Sequence, residues 1–205
     1  MRRTVGVAAA SAVVVFAAGC GGGGPQSGGD QKLTGDKIVL GVLNDQSGAY
    51  SELSGRNSVT AVEMAVADFK AKYGDKAVTK NITVETADHQ NKPDIANTKA
   101  AEMYDRKGVD LILDVPTSSA ALKVADVAKE KKKLYFNIGA ATTDLTGKSC
   151  NKYTFHYAYD TYMLANGTGK VTTEQVGKNW YILYPNYAFG QDMEKSFSAA
   201  ITAAG

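Results

Sequence analysis

From Lys37 onward the chain alternates between short apolar runs and longer segments whose apolar residues return every three or four positions. Lys37–Leu43 (KIVLGVL) reads as a buried strand. Ser54 to Tyr73 then places Val59, Val62, Ala65, Val66, Phe69 and Tyr73 at helical spacing, and Gly74 stops it. Ile82–Thr86 predicts a second strand. Pro93 suits the first turn of a helix running to about Lys107, with Gly108 as its C-cap. Val109–Val115 predicts a third strand, Ser118–Lys131 a third helix and Leu134–Ile138 a fourth strand.

Four β-α steps joined by short loops predict an α/β fold: a doubly wound parallel sheet with helices on both faces. After Leu145 the rhythm changes. Tyr153–Tyr159 reads as an extended, aromatic-rich stretch, Asp160–Glu174 as a helix, Trp180–Tyr184 as a strand and Gly190–Ala204 as another helix. The pattern therefore predicts one lobe over residues 37–157 and the incomplete start of a second α/β lobe over residues 158–205. One strand does not make a sheet, so the chain is expected to be a fragment, or its second unit to complete itself some other way.

The N-terminal segment follows a different logic. Arg2 and Arg3 precede an apolar run from Val5 to Ala18 that ends at Gly19-Cys20. A charged start, a short apolar stretch and small residues before a cleavage point make a secretory signal over residues 1–19. At about 15 residues the run is shorter than the roughly 20 that a membrane-spanning helix needs. Ala17-Ala18-Gly19-Cys20 resembles the bacterial lipobox, in which the cysteine, here Cys20, becomes the lipidated N-terminus. Gly21–Gly24, Pro25, Gln26, Ser27, Gly28 and Gly29 have nothing to bury, so residues 20–36 read as a flexible tether.

Composition agrees with a folded body: 44% of the 205 residues are hydrophobic and 21% charged. The formal charge of +2 (23 basic against 21 acidic residues) is no nucleic-acid footprint. Both of the excess cations, Arg2 and Arg3, belong to the signal segment, so the mature chain is formally neutral. Two cysteines make no disulfide framework, and Cys150 is left unpaired once Cys20 is lipidated, unless its partner lies beyond residue 205.

In an open parallel sheet, ligands bind beyond the C-terminal ends of the strands. Three loops lie there: Asn44–Tyr50 (NDQSGAY), Pro116–Ser119 (PTSS) and Gly139–Thr143 (GAATT). Their hydroxyls, small side chains and free N–H groups at a helix start suit a carboxylate. Singly, each loop is explained by capping alone, as when Thr117 or Ser118 starts a helix; three at one sheet edge point to a site. Tyr157, Tyr159, Tyr184 and Tyr187 serve either as core or as a ligand lid.

Other chemistry finds little support. Gly147-Lys148-Ser149 resembles the end of a phosphate-binding loop, but Thr142 stands where its first glycine belongs. No G-x-G-x-x-G follows the first strand, no G-x-S-x-G surrounds Ser118, and His89 and His156 have no second ligand at metal spacing. The run Lys129–Lys133 ends a helix, where cations suit the dipole. These features predict no enzyme, no cofactor and no metal.

Taken in order, Ile38–Gly48 (IVLGVLNDQSG), Pro116–Ser119 and Gly139–Thr146 (GAATTDLT) resemble the Leu/Ile/Val-type receptors, the branched-chain amino-acid solute-binding lipoproteins of ABC importers. Tyr184–Gly190 resembles that family's aromatic-glycine loop early in the second lobe. Gly147–Cys150 with His156–Asp160 (HYAYD) is similar to a subgroup that includes carriers of aromatic acids. The resemblance covers Lys37 to the end.

It implies the type I periplasmic-binding fold and capture of a branched-chain amino acid or related small carboxylate between two hinged lobes. Ser118 then matches the serine that takes the ligand carboxylate, with Ser119 beside it. Ala140 and Thr142 match the residues that complete the carboxylate site. Tyr50 and Tyr187 match aromatic positions lining the side-chain pocket. The implied partners are the ligand, an ABC permease and, through the lipid on Cys20, a bacterial membrane from outside the cytoplasm. Thr117 stands where well-known members have a cysteine, so their first-lobe disulfide is absent. The second-lobe acid that holds an amino acid's ammonium group, and the family's return to its first lobe, do not occur within these residues. Two alternatives remain: the ligand-binding ectodomain of a sensor, or a carrier of aromatic acids or amides.

Overall fold

A computed structural model describes residues 37–74 and 81–205; the expected signal segment 1–19, Cys20 and the tether 20–36 lie outside the described residues. Five strands form one parallel sheet in the order β2-β1-β3-β4-β5. They are β1 (Lys37–Asn44), β2 (Asn81–Asp88), β3 (Leu111–Asp114), β4 (Leu134–Asn137) and β5 (Thr154–His156). β1 is an inner strand next to the β2 edge, pairing Lys37 with Asn81 through Asn44 with Asp88 on one side and Leu40 with Leu111 on the other. All five point the same way, so the loops leaving β1, β3 and β4 emerge at one edge.

The two faces of the sheet are filled differently. Val39, Leu43, Ile112 and Tyr135 point into a buried core shared with α2 (Pro93–Asp105) and α3 (Ser118–Lys131). α3 buries Ala120, Ala121, Val124, Ala125, Val127 and Ala128, and this small-residue stripe lets it lie close against Ala96, Ala100, Met103 and Tyr104 of α2. Ile38, Leu40 and Leu113 instead meet Val62, Val66 and Phe69 of α1 (Gly55–Tyr73) along an apolar groove of about 360 Å³. Helices on both faces of a parallel sheet make this the doubly wound α/β architecture that the sequence predicts.

After β5 the chain runs into a helical stretch, α4 (Thr161–Leu164), a π-helical segment (Ala165–Lys170) and α5 (Val171–Gln175), against which α6 (Ala188–Ala204) packs. Asp160 caps α4 through its carboxylate, which accepts from the Met163 N–H at 2.8 Å. Within the π-helical turn Gly169 faces Phe197 of α6 so closely that a Cβ would come to 3.1 Å from the ring.

The stretch read as extended, Tyr153–Tyr159, supplies a fifth strand, because Tyr135 to Asn137 offer an open edge to which Thr154–His156 pairs. Two expectations need correction. α2 stops at Asp105 with Arg106 as its cap, leaving Gly108, at φ +67°, in the link to β3. Trp180–Tyr184 is not a strand: its backbone is irregular and its side chains lie open, Tyr181 at 91% and Leu183 at 88% exposure. A strand exists by pairing, and the described residues place no other strand beside this one. Among them, no helix is long and apolar enough to cross a membrane.

Candidate functional site

Asn44–Tyr50 is folded from within. The Asp45 carboxylate accepts from the Gly48 N–H at 2.6 Å and the Tyr50 N–H at 2.8 Å, an arrangement open to a short acid but not to an apolar residue. From the end of β2, Asp88 accepts from the Gln46 N–H and the Ser47 hydroxyl. Burial opposes ionisation of Asp88, but the bonds from Ser47, Gln46 and Gln90 and the nearby His89 outweigh it and hold the carboxyl below its usual value. The loop thus presents Tyr50 at the sheet edge.

Where β3 ends, Asp114 and Val115 have φ of +80° and +64°. Such angles are strained for a β-branched residue, and doubly so before Pro116. Asn137 holds this turn by donating to the carbonyl oxygens of Asp114 (3.4 Å) and Val115 (3.2 Å). The turn delivers Ser118 as the first residue of α3, 1% exposed, with a hydroxyl that has no hydrogen-bond partner among the described residues. A buried orphan hydroxyl beside the free N–H groups of a helix start is costly unless something is meant to meet it. Backbone strain at the same place points the same way.

The loop after β4 comes in against this turn. A Cβ on Gly139 would lie 2.9 Å from Pro116 Cα, so only glycine permits the approach. Gly139→Ala is expected to push the two loops apart, destabilising the protein by about 1 kcal/mol and weakening ligand binding; unchanged denaturation and affinity would show that the contact is dispensable.

Tyr50, Leu53, Pro116, Ser118, Gly139 and Ala141, from the loops at the sheet edge, form one side of a cavity of about 70 Å³. Tyr159, Tyr187 and Phe189 complete it. The two sides are joined by polar contacts. The hydroxyls of Tyr50 and Tyr187 meet, and Ser119 Oγ accepts from the Ala188 N–H at 3.3 Å. Burial, then the Tyr50 hydroxyl, push the Tyr187 phenol upward, so it stays protonated. Asp192, in the second turn of α6, accepts from the Thr143 N–H (2.7 Å), the Thr143 hydroxyl (2.9 Å), the Thr142 hydroxyl (3.2 Å) and the Thr161 hydroxyl (2.5 Å). Burial raises its carboxyl, yet these donors together lower it below the usual range.

The expected site residues therefore divide. Tyr50, Ser118 and Tyr187 line one cavity. Ser119 bridges to α6, Ala140 is packed in the core, and the Thr142 hydroxyl is turned to Asp192. Ala141, rather than Ala140, faces the cavity. Leu53 and Asp192 carried no signal in the sequence, since an acid early in a helix reads as a solvated dipole partner; Ala141 lies in the Gly139–Thr143 loop singled out there, though its neighbour Ala140 was the residue named. His156 bonds the Ala140 oxygen at 2.7 Å, and His89, buried, accepts from the Asn91 N–H through Nδ1. Cys150 is a free, exposed thiol. Among the described residues no three His, Cys, Asp or Glu stand together to hold a metal.

A parallel sheet with helices on both faces and a cavity at its C-terminal edge is the architecture of a small-molecule-binding α/β protein. Residues 37–205 match the family described as periplasmic binding protein, and the chain belongs to it. It is similar to a periplasmic binding protein of Burkholderia mallei (46% identity, TM-score 0.77), covering 83% of this chain and 44% of that one. A branched-chain amino acid ABC transporter periplasmic ligand-binding protein of Burkholderia xenovorans is 34% identical, with TM-score 0.70, over 82% of this chain and 44% of that one. Among curated proteins, Leu/Ile/Val-binding protein homolog 6 of Brucella abortus is 25% identical over 170 residues, 83% of this chain and 42% of its own length. The chain thus spans less than half the length of the relatives it matches.

Proposed function

We propose that the protein is an extracytoplasmic solute-binding receptor of an ABC importer that captures a branched-chain amino acid or a related small carboxylate and has no enzymatic activity. The observation that carries this reading is the buried, unpartnered Ser118 hydroxyl at the start of α3, lining the cavity beside Tyr50 and Tyr187. A carboxylate placed there accepts from the hydroxyl and from free N–H groups of the helix start, whose dipole favours negative charge. Tyr50, Leu53, Tyr187 and Phe189 supply apolar surface for the rest of the ligand.

Residues 37–157 form the first lobe in this reading and residues 158–205 the beginning of the second. A ligand touching both shifts the lobes toward the closed state by its differential affinity, and a permease recognises that state. Cys20 carries the lipid, and residues 20–36 tether the receptor to the outer side of the membrane. The similarity to a branched-chain amino acid binding protein at 34% identity supports this ligand class. The tyrosines lining the cavity, Tyr50, Tyr159 and Tyr187, favour one alternative, an aromatic carboxylate; at about 70 Å³ the cavity must widen to admit any of these ligands.

A thermal-shift panel of leucine, isoleucine, valine, benzoate and 4-hydroxybenzoate on the intact protein tests the proposal. One or more of these compounds is expected to raise the melting temperature in a concentration-dependent way. No response from any of them would refute the ligand class, and a response confined to the benzoates would select the aromatic alternative.

A further inference from the structure

Among the described residues, Asp192 is the one acid that ties the two walls of the cavity together through several hydrogen bonds at once. On one wall, Gly139 and Ala141 belong to the loop that continues into Thr142 and Thr143; on the other, Tyr187 and Phe189 begin α6, which carries Asp192. Its carboxylate accepts from Thr142 and Thr143 of the first and from Thr161 at the start of the helix that leaves the sheet. Thr161 is itself fixed, its N–H donating to the Ala141 oxygen at 2.9 Å. Three chain segments that meet at the cavity thus converge on one half-buried anion.

Resting on the receptor reading above, we propose that Asp192 is a positioning residue: it staples the Thr142–Thr143 turn and Thr161 to α6 and so sets the separation between Ala141 and the Tyr187–Phe189 wall. No ligand contact is assigned to it. Its place is taken by no neutral residue, because all its partners are donors. Asparagine would turn an NH₂ group toward at least one N–H or O–H that needs an acceptor. A carboxylate also bonds these donors more strongly than a neutral oxygen can. The nearest charges on the packed elements are Lys148, ion-paired to Asp144 at 2.8 Å, together with Asp160 and Lys195 beside the groove between α4 and α6. None of them donates a hydrogen bond to the carboxylate.

The test compares Asp192→Asn and Asp192→Ala with wild type in the intact protein. Amide hydrogen exchange at Thr143 is expected to speed up by about tenfold or more, the loss of one charge-assisted bond. Affinity for leucine or 4-hydroxybenzoate, whichever binds wild type, is expected to fall by a similar factor in protein that circular dichroism shows to be folded. Thr161→Ser, which keeps the hydroxyl, is expected to retain wild-type affinity, whereas Thr161→Val loses part of it. A purely structural Asp192 would lower the melting temperature and leave the affinity of the folded protein unchanged, and that result would overturn the proposal. Unchanged Thr143 exchange would overturn it too, even if neither compound binds wild type, an outcome that counts separately against the receptor reading.

Discussion

Replacing Ser118 by alanine is expected to weaken ligand binding by about 10- to 100-fold, the cost of leaving a buried carboxylate short of one hydrogen bond. The same substitution is expected to leave the ligand-free protein as stable as wild type or slightly more stable. The two effects have opposite signs for one reason. Ser118 is 1% exposed and its hydroxyl bonds to nothing among the described residues, so the folded state gains nothing from it and loses its hydration. Only a ligand returns that loss. Calorimetric titration with the compound found by thermal shift, set beside denaturant unfolding of the free protein, separates the outcomes. A Ser118→Ala protein that is clearly less stable without ligand would mark the hydroxyl as a structural cap; unchanged affinity would remove it from the site.

The order of elements up to Ile138 was legible because each rests on a local signal. β1 is a continuous apolar run, α3 repeats alanine and valine at helical spacing, and Gly74 stops α1. What was incomplete or failed depended on distant partners. Tyr153–Tyr159 reads as extended, but only Thr154–His156 becomes a strand, where the edge of β4 receives it. Trp180–Tyr184 has the composition of a strand, but composition cannot supply a neighbour. The site shows the same division. Ser118 is marked by its position at the start of a helix after a strand, whereas Asp192 and Ala141 act through a contact between residues about 50 apart. The left-handed backbone at Asp114 and Val115 was equally silent, since neither valine nor its proline neighbour advertises a positive φ. The parallel topology placed the loops at one edge, and the resemblance named Ala140, whereas the structure puts Ala140 in the buried core and Ala141 in the cavity lining.

Asp114→Asn is expected to stabilise the protein near neutral pH by about 1–3 kcal/mol, the penalty of an under-bonded buried polar group. Asp114 is 3% exposed, and among the described residues one of its carboxyl oxygens, Oδ2, has no partner and no cation pairs with it. Burial pushes its proton affinity upward, and the side-chain bonds from Ser58 and Asn44 lower it without cancelling that effect. The folded protein therefore holds this proton more tightly than the unfolded chain, whose value is near 3.8. Stability from the group is full below that value and is lost as the pH rises through the folded one. At neutral pH an ionised Asp114 is thus a liability. Asparagine removes the charge, tolerates the positive φ at this position, and keeps an oxygen for Ser58 and Asn44. Its NH₂ group also brings donors to an end of the sheet where Asn44 Oδ1 and Asn137 Oδ1 both lack one. Denaturant unfolding at neutral pH and near pH 4 checks the sign: the advantage of Asp114→Asn is expected to shrink as the wild-type carboxyl takes up its proton. An advantage that did not change with pH would assign the effect to packing instead. A variant less stable than wild type at neutral pH would mean that the ionised carboxylate is what holds the strained turn into Pro116, and with it the placement of Ser118.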